Sequence, residues 1–304
     1  MNALTERAAA AAAEGGPRVV RFDGIETALT AAADRAALFA DPAFAARLQA
    51  RLDALAEGRA VLSLDVFDTL LLRDRSSELT RFHEIAGRMA GIAGQALGRE
   101  VRPVDALLAR HLGTRATYRA APTLQGAREG SARELHRTAS RLLAGDDRLA
   151  GAFLAAELDV EETRVAPNPF LAGYLARFRA RGGTAILITD MYLHAEHVAD
   201  LLARHGIGPA SYDGLFSSAD TRVSKASGQL FAHVAEALGR APEAFLHVGD
   251  SLTGDFANPI RAGWAAQHLP LAEAELSARR EDHVATARLL DDRFGLRLDV
   301  EMPR

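Results

Sequence analysis

The 304-residue chain contains no cysteine. Disulfides, thiolate nucleophiles and cysteine-ligated zinc or iron–sulfur centres are therefore excluded. Long apolar runs are missing too. The longest, Val61 to Leu72, is broken by Asp65 and Asp68 and falls short of the ~18 apolar residues of a membrane span. There is no excess of positive charge: the net charge is −4 and the pI about 6.2. No general basic surface is available to attract nucleic acid or anionic lipid, so neither a nucleic-acid nor a membrane partner is expected. An export signal is not evident, because the weakly apolar Ala8–Ala13 is bracketed by Glu6, Arg7 and Glu14, and the expected location is cytoplasmic. Lysine is scarcer still. Of 36 basic residues only Lys225 is lysine. An ammonium is a compact point charge where a guanidinium is a broad planar fork, so this position is a candidate for a role that arginine cannot fill.

What is present is an ordinary globular composition, 48% hydrophobic and 25% charged, with ample length for a buried core. Residues 1–57 are Ala-rich and helical in pattern, with Asp41-Pro42 opening one helix. They read as an N-terminal helical extension whose first 16 residues form an unstructured lead-in. Residues 60–67 read as a buried strand. From 75 to 181 the pattern is helical: Arg102-Pro103 opens one helix, Ser131 to Glu134 is a capping-box signature, and Asn168-Pro169 opens a helix closed at Gly182-Gly183. Beyond this, strands at 184–188, 214–217 and 244–248 alternate with helices at 193–205, 222–239 and 252–263. That alternation predicts an α/β fold with a Rossmann-like parallel sheet covered on both faces. Its core is built from 58–74 and 182–275, interrupted by an all-helical insert at 75–181 and followed by a C-terminal helix and tail at 276–304.

Four segments carry chemistry, all at or just beyond strand ends, where open α/β sheets bind ligands. They are Asp65-Val66-Phe67-Asp68-Thr69, Thr189, Lys225 and the run Gly249 to Asp255. In this order, together with the wording DVFDTLLLR from Asp65, TDMYL from Thr189 and KASGQLF from Lys225, the set resembles the haloacid dehalogenase-like superfamily, whose members are mostly magnesium-dependent phosphatases. It is similar to a bacterial subgroup of hydrolases within it. The resemblance covers about 58–74 and 182–270, and it implies that the helical insert is a mobile cap. It implies Asp65 as the nucleophile that forms an aspartyl-phosphate. Mg²⁺ would be held by Asp65, the backbone carbonyl of Phe67, Asp250 and Asp255. Thr189, Asp190, Lys225 and Arg73 would contact the substrate, with Lys225 balancing charge between phosphate and Asp65. The expected partner is a small phosphorylated metabolite, because a closing cap excludes a polymer; self-association is left open.

One position departs from the pattern. Typical phosphatases of the superfamily place a second Asp two residues after the nucleophile as general acid and base; here that residue is Phe67. Either the substrate has a good leaving group such as an acyl phosphate or pyrophosphate, or Asp68 or a cap residue transfers the proton, or the protein does something else. The alternatives are a metal-independent haloacid dehalogenase, whose members place a non-acid residue at this point, and a weakly active or non-catalytic scaffold. Asp68 also reads as a plain turn former, and His194 and His197 as a solvated helix surface.

Overall fold

A computed structural model describes residues 24–303; the Ala8–Ala13 tract and the lead-in lie outside the described residues. Five strands form one parallel sheet in the order β5-β4-β1-β6-β7: β1 Val61–Asp65, β4 Thr184–Thr189, β5 Gly214–Ser217, β6 Phe245–Gly249 and β7 Ala265–His268. Every residue of β1 and β6 is buried, which is why these strands read as near-continuous apolar runs. The fold is the predicted one. β7 escaped the sequence reading because Ala-Ala-Gln-His has little strand character.

The N-terminal segment forms α1 Gly24–Thr30, α2 Arg35–Ala40 and α3 Pro42–Ala56. The Asp41 carboxylate caps α3 by accepting from Phe44 N at 2.8 Å. These helices are part of the main core: Ile25, Leu29, Phe39, Phe44, Leu48 and Leu52 cluster with sheet residues such as Leu62, Leu64 and Leu246.

Four helices form the cap: α4 Glu78–Leu97, α5 Pro103–Ala120, α6 Ala132–Ala144 and α7 Ala150–Arg164. They have a separate apolar centre around Ile85, Met89, Leu107 and Phe153. The fifth helix of the expected 75–181 insert, α8 Pro169–Ala180, packs on the sheet instead. Its Phe170, Leu171, Tyr174 and Leu175 join the main core. Cap and core are joined by two short antiparallel strands, β2 Leu71–Arg73 and β3 Val165–Pro167, which the sequence reading did not resolve.

The helix expected at 193–205 forms as α9 Ala195–Arg204, but two other expected helices are broken. Residues 222–239 divide because Arg222 and Gly228 both adopt positive φ, 61° and 79°, leaving a loop between α10 Ser218–Thr221 and α11 Gln229–Leu238. Residues 252–263 begin as a wide π-type turn, Leu252–Ala257, before α12 Asn258–Arg261. The last helix, α13 Glu273–Phe294, reaches from the core, through Arg279, to the cap centre, through Leu290. No helix among the described residues is long and apolar enough to cross a membrane.

Candidate active site

The register of the central strands brings the motif residues together. Asp65 pairs with Ile188, and Leu64 with Val248. Thr189 and Gly249-Asp250 therefore leave the sheet beside Asp65, at the carboxyl ends of three adjacent strands. The loop freed by the break at Arg222 and Gly228 delivers Lys225 to the same place. Lys225 is 4% exposed, and its Nζ donates to Asp65 Oδ1 at 2.5 Å and to Asp255 Oδ1 at 2.6 Å. One ammonium between two carboxylate oxygens is a point-charge task, which a guanidinium fork cannot perform in the same space.

Asp255 is held from three sides. Besides Lys225, its Oδ1 accepts from His247 Nε2 at 3.0 Å, and its Oδ2 accepts from Ser251 N at 2.9 Å. Because a carboxylate only accepts, His247 carries its proton on Nε2, and Nδ1 accepts from the Ser63 hydroxyl at 2.7 Å. Burial lowers the His247 pKa and favours this neutral ring. Ser63 and His247 were missed by the sequence reading. Their signal was a lone polar residue in the middle of each of two apolar strands, at positions the register places opposite one another. The wide turn at 252–257 folds Asp255 back over Gly249, where a Cβ would collide with its carboxyl group.

Asp190 lines the cavity, but its two oxygens accept the backbone amides of Lys225 and Ala226 at 2.8 and 3.0 Å. It therefore fixes the loop that carries the lysine. Asp68 does not serve as a stand-in acid. It sits at φ 60°, its carboxylate is gripped by Arg279 at 2.7 and 3.0 Å, and Arg35 lies 3.5 Å away. Burial pushes its pKa up, but Arg279, Arg73 and Arg35 prevail and hold it well below the usual carboxylate range. A carboxylate fixed in its ionised form has no proton to donate. It is a turn former that also pins α2 and α13 to the motif loop. His194 and His197 are likewise not a solvated surface. Both are buried, and His194 joins Asp220 of the core at 2.6 Å to Ser131 of the cap at 2.8 Å.

The site opens into a cavity of about 410 Å³ between sheet and cap. The cap contributes Glu78, Arg81, Phe82, Tyr118 and Glu161 to its walls. Phe67 lies under the guanidinium of Arg73, 4.2 Å from the ring centre. Arg73 and Arg81 share Glu161, at 3.4 and 3.2 Å. Tyr192, in the segment that follows Thr189, ties the core to the cap: its hydroxyl donates to Glu157 at 2.7 Å and accepts from Arg110 at 2.8 Å.

The donor set suits a hard divalent cation. Asp65, Asp250 and Asp255 each offer a carboxylate oxygen, all within 4.8 Å of one another. Burial pushes the Asp65 carboxyl up to about 7; Lys225 pulls against this while Asp255 adds to it. Burial, and then Asp65, Asp68 and Asp255, raise the Asp250 carboxyl well above the ordinary range. Such a cluster is short of positive charge, and oxygen ligands of this kind match Mg²⁺.

The fold is a Rossmann-like α/β core that carries a cluster of carboxylates at its strand ends under a helical cap. A family model described as haloacid dehalogenase-like hydrolase matches residues 23–263, and the chain belongs to this family. A comparison with curated proteins finds no match. Among solved structures, the 2-haloacid dehalogenase of Pseudomonas syringae pv. tomato DC3000 is 18% identical, with 68% of this chain and 85% of that one covered at a TM-score of 0.48. The L-2-haloacid dehalogenase of Xanthobacter autotrophicus is 16% identical, covering 76% and 85% at 0.45. The HAD-hydrolase YfnB of Bacillus subtilis, bound to magnesium, is 19% identical, covering 68% and 87% at 0.41.

Proposed function

We propose that this hydrolase is a Mg²⁺-dependent phosphohydrolase or phosphotransferase acting on a small phosphorylated metabolite through an aspartyl-phosphate on Asp65. The observation that carries the reading is the convergence of Asp65, Asp250 and Asp255 oxygens within 4.8 Å, with the Lys225 ammonium 2.5 Å from Asp65. Metal-independent dehalogenation has no need of a cation site, so Asp250 beside Asp65 favours phosphorus chemistry.

Asp65, Asp250 and the Phe67 carbonyl would hold Mg²⁺, with Asp255 positioned behind them by Lys225, His247 and Ser251. When bound, the cation supplies the positive charge that lets a carboxylate approach a phosphate dianion. Lys225 fixes one oxygen of Asp65 and leaves the other to attack phosphorus. The Thr189 hydroxyl donates to a phosphoryl oxygen. The cap walls exclude bulk water and limit substrate size. The test is turnover of a panel of phosphorylated metabolites with Mg²⁺ and with EDTA. Mg²⁺-dependent phosphate release that is abolished in Asp65→Asn supports the reading. Halide release from 2-haloacids in EDTA would replace it by dehalogenation, which Phe67 at the usual acid position favours. No turnover of either class would leave the scaffold alternative.

A further inference from the structure

We infer that the cavity takes a phosphoryl donor whose leaving group is itself a carboxylate, an acyl phosphate, and that Arg73 receives the departing negative charge where other members donate a proton. The inference rests on the phosphoryl-transfer reading above and names the substrate class for the same site.

The argument starts from Phe67. Its ring fills the acid position and cannot donate, and it serves as a platform for Arg73, whose guanidinium lies 4.2 Å above it. Arg73 is under-satisfied. Its ion pair with Glu161 is long, 3.4 Å, and shared with Arg81, and its buried Nε has no hydrogen-bond partner. Arg110, in the cap, shows a satisfied guanidinium: it grips Glu157 through two nitrogens at 2.6 and 3.0 Å. A buried guanidinium N–H facing no acceptor costs free energy until an acceptor arrives. Arg73 is one of the residues lining the cavity that holds Asp65, so its incompletely paired guanidinium is the cation nearest to hand for an oxyanion of the substrate, and a carboxylate fits a guanidinium edge-on.

The proton balance points the same way. The Asp68 carboxylate is engaged by Arg279 at 2.7 Å and turned away from the reacting centre, and Glu161 is occupied by two arginines. An alkoxide leaving group needs a proton; a carboxylate, with a pKa of about 4, leaves without one. In the first step an Asp65 oxygen bonds to phosphorus and the P–O bond to the acyl oxygen breaks. The electron pair stays on that oxygen, and the product carboxylate departs toward Arg73 with no proton moved. One carboxylic–phosphoric anhydride is exchanged for another, so the step is close to thermoneutral. Water then attacks phosphorus, the bond to Asp65 breaks with its pair returning to the carboxylate, and the proton of water passes to the released phosphate. Again the leaving group is a carboxylate, and again no general acid is required.

The experiment uses the full chain with Mg²⁺ and three probes: acetyl phosphate, phenyl phosphate and glycerol phosphate. Acetyl phosphate is expected to be turned over and glycerol phosphate not. Arg73→Met keeps an apolar stem on Phe67. It is expected to lower kcat/KM for acetyl phosphate by about 10²-fold, the usual loss when a charge-stabilising donor is removed, and to lower that for phenyl phosphate by less than tenfold. An equal loss on both probes marks a merely structural arginine and overturns the inference. Efficient glycerol phosphate turnover that disappears in Glu78→Gln or Tyr118→Phe would place a proton donor in the cap and also overturn it. Both results leave phosphoryl transfer standing. Absence of turnover with all three probes would instead remove that reading, and the inference with it.

Discussion

The Asp68 anchor gives the sharpest stability prediction. Asp68→Asn removes the charge while keeping a residue type that tolerates positive φ, so backbone strain is held constant. The variant leaves the largely buried guanidinium of Arg279 without its carboxylate, whereas Arg35 keeps Glu275 at 2.7 Å. Breaking a buried pair by removing one partner costs about 3–5 kcal/mol. For 304 residues at about 2.1 cal/mol/K per residue, the unfolding entropy is about 0.6 kcal/mol/K, so Tm should fall by about 5–8 °C. Calorimetry or thermal denaturation checks this. The sign of the pH dependence follows from the depressed pKa of Asp68 in the folded state. Its contribution is fully present above the unfolded value of about 3.9 and is lost as pH falls through the folded value. The gap between the natural chain and Asp68→Asn should therefore be constant from neutral pH down to about 5 and close toward stronger acid. In a double-mutant cycle with Arg279→Met the two losses should be strongly non-additive. An unchanged Tm together with lost turnover would refute the argument, because it would make Asp68 a participant in the chemistry.

Further outcomes follow from the same geometry. Lys225→Arg should lower turnover by at least about 10²-fold, since a guanidinium cannot sit 2.5–2.6 Å from both Asp65 and Asp255 in the space of an ammonium; steady-state kinetics reads this directly. Titration calorimetry should find that Mg²⁺ binds more tightly as pH rises through about 7. The Asp65 carboxyl is raised to about 7, so below that value a proton competes with the cation. By the sign of the same shift, the metal-free protein loses stability as pH rises from about 4 to 7, which added Mg²⁺ should offset. Gly249→Ala drives a methyl into the Asp255 carboxyl group. It should cost about 1–3 kcal/mol of stability and weaken Mg²⁺ binding, whereas the same change at Gly91, where a Cβ meets nothing, should do neither.

Much of this molecule is local and so is legible along the chain. Apolar runs fully buried in a parallel sheet read as strands wherever they occur, and the caps at Asp41, Ser131 and Asn168 mark helix starts because each side chain satisfies amides of its own first turn. The order of Asp65, Thr189, Lys225 and Gly249-Asp250 carries the family, because the chemistry fixes residue types at strand ends. The lone lysine marked its position because a compact charge is a property of residue type. The boundary between cap and core was less legible. α8 has the same helical pattern as the cap helices, and only its packing partner, the sheet, separates it from them.

Sequence alone determined the fold class, the family and the carboxylates of the centre, since these depend on periodicity and on residue chemistry at a few spacings. Tertiary structure decided what those residues touch. It gave Asp68 to Arg279 and Arg35, drew Ser63 and His247 into the support of Asp255, and set Arg73 on Phe67 with a donor left over. Those pairings join residues far apart in the chain, and no local pattern encodes them, because an ion pair or a hydrogen bond requires only that two groups meet in space.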